Sequence, residues 1–214
     1  MINPEETPLF PTDSEKINIE IPKNELKVGD FLVSRYVSSA WARYLPWEEW
    51  HHAALISQIE PLKIIEAVGE NAAGQFSGPA EVDFQDSVGF GLATGIREVK
   101  WLRPIFSGTI REMAPSNIPR KKRQVITEDE ARKRAVEYAR QQLGEPYSLL
   151  ATKWSEDKWY CSLLVYKSYS RTVTGMYLED YDDLRAGFFV TPEDLIDSPR
   201  SKVYFTWKYG SYHV

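Results

Sequence analysis

Two short apolar runs, His51 to Ile59 (HHAALISQI) and Lys63 to Gly69 (KIIEAVG), are joined only by Glu60-Pro61-Leu62. Neither run is long enough for a typical helix, and a proline stands in the joint. The pattern predicts a hairpin of two mostly buried strands. Strands this apolar must be covered by other elements, because exposing them to water costs free energy.

Further elements surround the hairpin. Gly29-Asp30 reads as a turn and Phe31 to Tyr36 as a first strand. Ser38 to Leu45 reads as a short helix with Ser38 or Ser39 as its cap. AEVDFQDS (80–87) and GIREVKWLRPI (95–105) are strand candidates, and KVYFTW (202–207) alternates like a last strand. Residues 103–126, with three prolines and the basic run Arg120 to Arg123, read as loop. Thr127 and Glu130 form a capping box. Ala131, Ala135, Tyr138, Ala139 and Leu143 follow at helical spacing, and Gly144 stands where a C′ glycine belongs. Residues 145–160 read as an irregular link. Cys161 to about Thr172 reads as a second helix, with Cys161, Leu164, Val165 and Ser168 on one side. TPEDLIDSP (191–199) reads as a short helical turn.

The chain has 214 residues, 43% of them hydrophobic, which fits one domain. Pro4, Pro8, Pro11 and Pro22 set residues 1–25 apart as an extended arm, leaving 26–214 as the domain. A net charge of −5 gives no general attraction for nucleic acid or anionic membrane. The single cysteine makes no internal disulfide. The acidic N-terminus lacks the basic and apolar regions of a signal peptide, and no run approaches a membrane span. As given, the chain reads as cytoplasmic.

That one cysteine, Cys161, sits in DKWYCSLLVYKSY (157–169), where polar loop gives way to helix. It is either a small buried hydrophobe or a nucleophile. A helix N-terminus favours thiolate, and so does a neighbouring histidine. His213 lies at the C-terminus. His51 and His52 enter the first hairpin strand, and since side chains alternate along a strand, at most one faces a given site. Glu66 lies among Ile64, Ile65, Ala67 and Val68, where a carboxylate is costly unless paired. The hairpin makes it a neighbour of His52. It either points to solvent or orients an imidazole, as the acid of a triad does.

Taken together, GDFLVSRY, HHAALIS, IIEAVG, ARKRAVEYARQQLGEPYSLL and WYCSLLVYKSY resemble the circularly permuted papain-like amidases of the YiiX/YaeF kind. These are relatives of NlpC-type cell-wall peptidases and, more distantly, of lecithin:retinol acyltransferase. The resemblance runs over about residues 26–200. It implies an α+β papain-like fold, circularly permuted, with a small antiparallel sheet or barrel packed against the helix that bears the cysteine. It makes Cys161 the nucleophile, His52 the base (His51 the alternative) and Glu66 the acidic third member. Tyr160 and Tyr147, the latter in the GEPY turn, become candidates for the oxyanion and substrate pocket. Leu163-Leu164 departs from the family's more polar pattern after Tyr-Cys-Ser.

The implied function is a cysteine hydrolase that cleaves a peptide, isopeptide or N-acyl amide through a thioester. The alternatives are a thiol acyltransferase acting on lipid and a non-catalytic peptide- or lipid-binding module. The expected substrate is a small or cell-wall-type peptide or an acyl amide, with no cofactor, metal or nucleic acid. Weaker features are Trp41, Trp47, Trp50, Trp101, Trp154 and Trp159 as pocket walls, WEEWHH as metal ligands, RKKR as a phosphate contact or sorting tag, and GFGLATG (89–95) as a flexible loop.

Overall fold

The computed structural model describes residues 24–36, 49–69, 78–90, 96–180 and 187–208. The proline-rich arm up to residue 23, the helix expected at Ser38 to Leu45, Trp41, Trp47 and His213 lie outside them.

Among the described residues the strands are β1 (Phe31–Tyr36), β2 (His52–Gln58), β3 (Lys63–Val68), β4 (Gly78–Asp83), β5 (Ile96–Pro104) and β6 (Ser201–Lys208). They form one antiparallel sheet in the order β4-β3-β2-β1-β5-β6. β2 and β3 are the expected hairpin, with Ala54 opposite Glu66 and Leu55 opposite Ile65.

Both faces of the hairpin strands β2 and β3 are covered, which is why they read as runs rather than alternations. Ala53, Leu55, Ile65 and Ala67 join the larger core with the helices. Ala54, Ile56 and Ile64 join a second cluster with Phe84, Phe90 and Trp101. The AEVDFQDS strand stops at Asp83, and Phe84–Asp86 form a 3-10 turn. Phe84 is buried there in the second cluster, so burying one aromatic side chain takes precedence over extending the ladder.

Helix α1 (Glu128–Gln141) begins at Thr127, whose side chain accepts from Glu130 N–H. The reciprocal half of the capping box is not made; the Glu130 carboxylate takes Arg134 of the next turn instead. Gly144 has φ +84°, the left-handed conformation expected after a helix. Helix α2 (Cys161–Ser170) is buried at every position rather than on one side. It packs against α1, the hairpin and α3 (Pro192–Asp197), so it is a central helix. Fully burying one of its leucines contributes about 1.5–3 kcal/mol. A Thr191/Asp194 capping box that the sequence reading did not use fixes the start of α3.

Of the tryptophans, Trp50, Trp101 and Trp159 are core, and Trp154 is exposed and stacked edge-on against Phe188. The Arg120–Lys122 run is an exposed 3-10 turn. Arg123 folds back to Thr174 and the Ile118 carbonyl, which accounts for the basic cluster as local loop structure.

Candidate active site

Cys161 is the first residue of α2. Tyr160, at the N-cap, makes no side-chain cap hydrogen bond. Leu164 N–H is the first to find an intrahelical acceptor, the Tyr160 carbonyl. The N–H groups of the first turn therefore have no carbonyl behind them, and they favour negative charge in front of the helix.

His52 opens β2, and its imidazole hydrogen-bonds to Cys161 on one side and to Glu66 on the other. The Glu66 contact is made through Nε2, 2.7 Å from Oε2. That leaves Nδ1 for the sulfur. The ladder between β2 and β3 begins at Ala54 and Glu66, and the N–H of Ala53, just before it, points at the Cys161 sulfur. All three side chains are buried, and Cys161 is only 1% exposed.

The electrostatics follow from these contacts. Burial alone would raise the Cys161 thiol, but the His52 imidazole and the N–H groups of Ala53 and Ser162 bring it below the ordinary value. Burial alone would lower His52, but its bonds to Cys161 and Glu66 push it up to about 10. Both shifts favour a thiolate–imidazolium pair.

The residues singled out in the sequence fall into two groups. Cys161, His52 and Glu66, from three distant stretches, come together. The others have partners of their own. His51 Nδ1 accepts Tyr36 N–H at 3.1 Å, and burial together with nearby Arg35 lowers its pKa. The Tyr160 hydroxyl accepts Val190 N–H at 2.9 Å, and burial raises its pKa. Tyr147 lies beside Gly69, just past β3, and bridges to Trp159.

The sequence reading missed a second ring of residues. Ser87 Oγ donates to Glu66 Oε2 at 2.8 Å, and Val88 N–H donates to Glu66 Oε1 at 3.1 Å. Gly89 and Phe90 lie against the imidazole; the two ring centroids of Phe90 and His52 are 5.5 Å apart. GFGLATG is therefore a wall of the site at Gly89 and Phe90, while residues 91–95 lie outside those described. The available signal was a buried acid in need of donors and a nearby Ser-X-Gly able to supply them. Among the described residues no three His, Cys, Asp or Glu side chains converge as metal ligands.

Residues 110–204 match the family described as permuted papain-like amidase enzymes, YaeF/YiiX. The chain is similar to the permuted papain-like amidases. The matched segment contains Cys161 and leaves out β2 and β3. Over the wider chain, the crystal structure of metalloprotein YiiX from Escherichia coli O157:H7 has the same fold. Its TM-score is 0.56 at 14% identity, covering 84% of this chain and 97% of that one. No curated protein matches the chain. The amidase family and the α+β papain-like fold are those expected from the sequence motifs. The similarity supports a cysteine hydrolase of amide bonds acting on peptide-type substrates. No helix among the described residues is long and apolar enough to cross a membrane.

Proposed function

We propose that the protein cleaves an amide through a Cys161–His52–Glu66 triad and a thioester intermediate. The observation that carries the reading is the unbroken line from the Cys161 thiol through the His52 imidazole to the Glu66 carboxylate at an uncapped helix start. Each part has a chemical task. The imidazolium and the helix-terminal N–H groups hold the sulfur as thiolate, which is the nucleophilic form. The thiolate attacks the carbonyl carbon, and the carbonyl π electrons move to oxygen. The backbone N–H of Cys161, without a partner further back in the helix, is placed to receive that oxyanion. His52 then gives its proton to the departing amine as the C–N bond breaks, leaving a thioester on Cys161. Neutral His52 takes a proton from water as hydroxide adds to the thioester carbonyl; the adduct collapses, the C–S bond breaks with its electron pair returning to Cys161 as thiolate, and the carboxylic acid leaves. Glu66 keeps Nε2 protonated throughout, so the nitrogen facing the sulfur remains the one that gains and loses a proton.

The test is Cys161→Ala assayed on a panel of peptide, isopeptide and N-acyl amides cleaved by the wild-type chain. Turnover is expected to vanish while the thermal melt stays cooperative. Turnover that persists in this variant removes Cys161 as the nucleophile.

A further inference from the structure

The turn Ser87 to Gly89 is tied to the site on one side and to β1 on the other. Gly89 N–H donates to Ser87 Oγ at 3.1 Å. A serine hydroxyl has a single proton. With Gly89 N–H occupying a lone pair, that proton goes to Glu66 Oε2, 2.8 Å away. The Gly89 carbonyl accepts from Ser34 Oγ at 3.2 Å and from the Tyr36 hydroxyl at 2.5 Å. Ser34 and Ser87 are fully buried.

No side chain fits at Gly89. A Cβ there would lie 2.0 Å from His52 Cδ2, 2.2 Å from Nε2 and 2.8 Å from Glu66 Oε2. Main chain thus presses on the imidazole edge that bears those atoms. The ring's orientation is what the chemistry needs. Rotated by half a turn about Cβ–Cγ, it would put Cε1 where Nε2 meets the acid and Cδ2 where Nδ1 meets the sulfur.

We propose that Ser87 and Gly89 are positioning residues: they hold the His52 ring in the one orientation that joins Glu66 to Cys161. The inference rests on the catalytic reading given above. It adds that the reactivity of the cysteine is set from a loop whose contacts to the site run through Glu66 and the His52 ring. A base displaced by about 1 Å loses about 10²-fold.

The experiment follows alkylation of Cys161 by iodoacetamide, by mass spectrometry, from about pH 5 to about pH 9. It compares the wild type with His52→Ala, Ser87→Ala, Ser87→Thr and Gly89→Ala, each also melted thermally. The wild type is expected to react well below pH 8, and His52→Ala only as an ordinary thiol. Gly89→Ala should fall to within about threefold of His52→Ala. Ser87→Ala should lose about tenfold near pH 6, and Ser87→Thr, which keeps the hydroxyl, should recover most of it. If Gly89→Ala does not fold, the Ser87 pair decides. Folded Ser87 and Gly89 variants that keep the wild-type profile overturn the positioning role and leave the catalytic reading standing. A wild-type profile identical to that of His52→Ala ends both.

Discussion

The backbone N–H of Tyr36 is donated to His51 Nδ1 at 3.1 Å, so one of the two adjacent histidines is tied to β1 while its neighbour meets the cysteine. A nitrogen that accepts a main-chain N–H has its lone pair engaged and serves poorly as a proton acceptor. His51→Gln is therefore expected to leave iodoacetamide alkylation of Cys161 within about twofold and to cost about 1 kcal/mol of stability through the lost hydrogen bond. His52→Ala should remove the low-pH reactivity altogether. Parallel alkylation and urea titrations on the two variants make the comparison, and equal loss in both would reassign the base.

The pH dependence follows from the shifts at the pair. Thiolate forms as pH rises through the Cys161 value, which His52 and two backbone N–H groups hold below the ordinary thiol range. Reactivity toward amides should thus rise with pH, with its acid limb below that of an ordinary thiol. It should fall again at the alkaline end, because leaving-group protonation needs imidazolium, and His52 gives up its proton near about 10. Alkylation needs only the thiolate and should show no alkaline decline. A bell for turnover and a plateau for alkylation are the expected pair of profiles; the two limbs belong to the coupled pair rather than to either residue.

Glu66 accepts from His52 Nε2, Ser87 Oγ and Val88 N–H, and its side chain offers only acceptors to them. Glu66→Gln is nearly isosteric but brings an NH2 group into a site made of donors. Set against Nε2, that amide selects the tautomer with the proton on Nδ1, the nitrogen that must be free to accept one. A loss of about 10²–10⁴-fold in turnover is expected. Single-turnover kinetics on the best amide of the substrate panel measure it, and a loss under about threefold would show that the acid does not orient the ring.

How much of this was legible beforehand depended on whether a residue's role lay in its own segment. The β2/β3 hairpin could be read because apolar strand runs and a proline joint are local, and α1 because Thr127 and the spaced alanines are local too. Cys161, His52 and Glu66 stood out because each is chemically costly where it sits. Ser87, Gly89 and Tyr36 gave no such sign. A serine and a glycine after a strand are ordinary, and their value comes from register: Ser34 and Tyr36 on β1 bring their hydroxyls onto the Gly89 carbonyl. The all-round burial of α2 was equally hidden, since Lys167 and three serines give it a polar look, while Ser162 and Ser168 satisfy their hydroxyls on the Val190 and Leu164 carbonyls.

Access to the sulfur makes a separate prediction. Cys161 is 1% exposed and His52 7%. With so little of either residue exposed, reagent size should matter more than intrinsic reactivity. Iodoacetamide is expected to outpace a bulky aryl maleimide at Cys161, although maleimides are faster with free thiols. Denaturing the protein should restore the ordinary order. A folded protein that reacts with both in the order of the free thiol would place the sulfur in open solvent.

Asp30 is the structural counterpart of the site, because it fixes the start of β1, the strand that carries Ser34 and Tyr36. It is fully buried and accepts from Trp101 Nε1 at 2.8 Å, Arg103 Nε at 2.9 Å and Arg132 Nη1 at 3.0 Å. It also accepts the Lys27 N–H at 3.0 Å. Two guanidinium groups thus share one carboxylate across β1, β5 and α1. Asp30→Asn keeps the shape and removes the charge, leaving Arg132, itself 3% exposed, and Arg103 without their counter-ion. Breaking a buried pair in this way costs about 3–5 kcal/mol, far more than the net worth of the pair. Urea unfolding should show that loss in the midpoint with little change in slope. Where the variant remains folded, the Cys161 alkylation profile should still resemble the wild type, because Asp30 makes none of its hydrogen bonds to the site. A change under about 1 kcal/mol would mean that water or Glu128, 3.8 Å from Arg132 Nη2, takes over the charge.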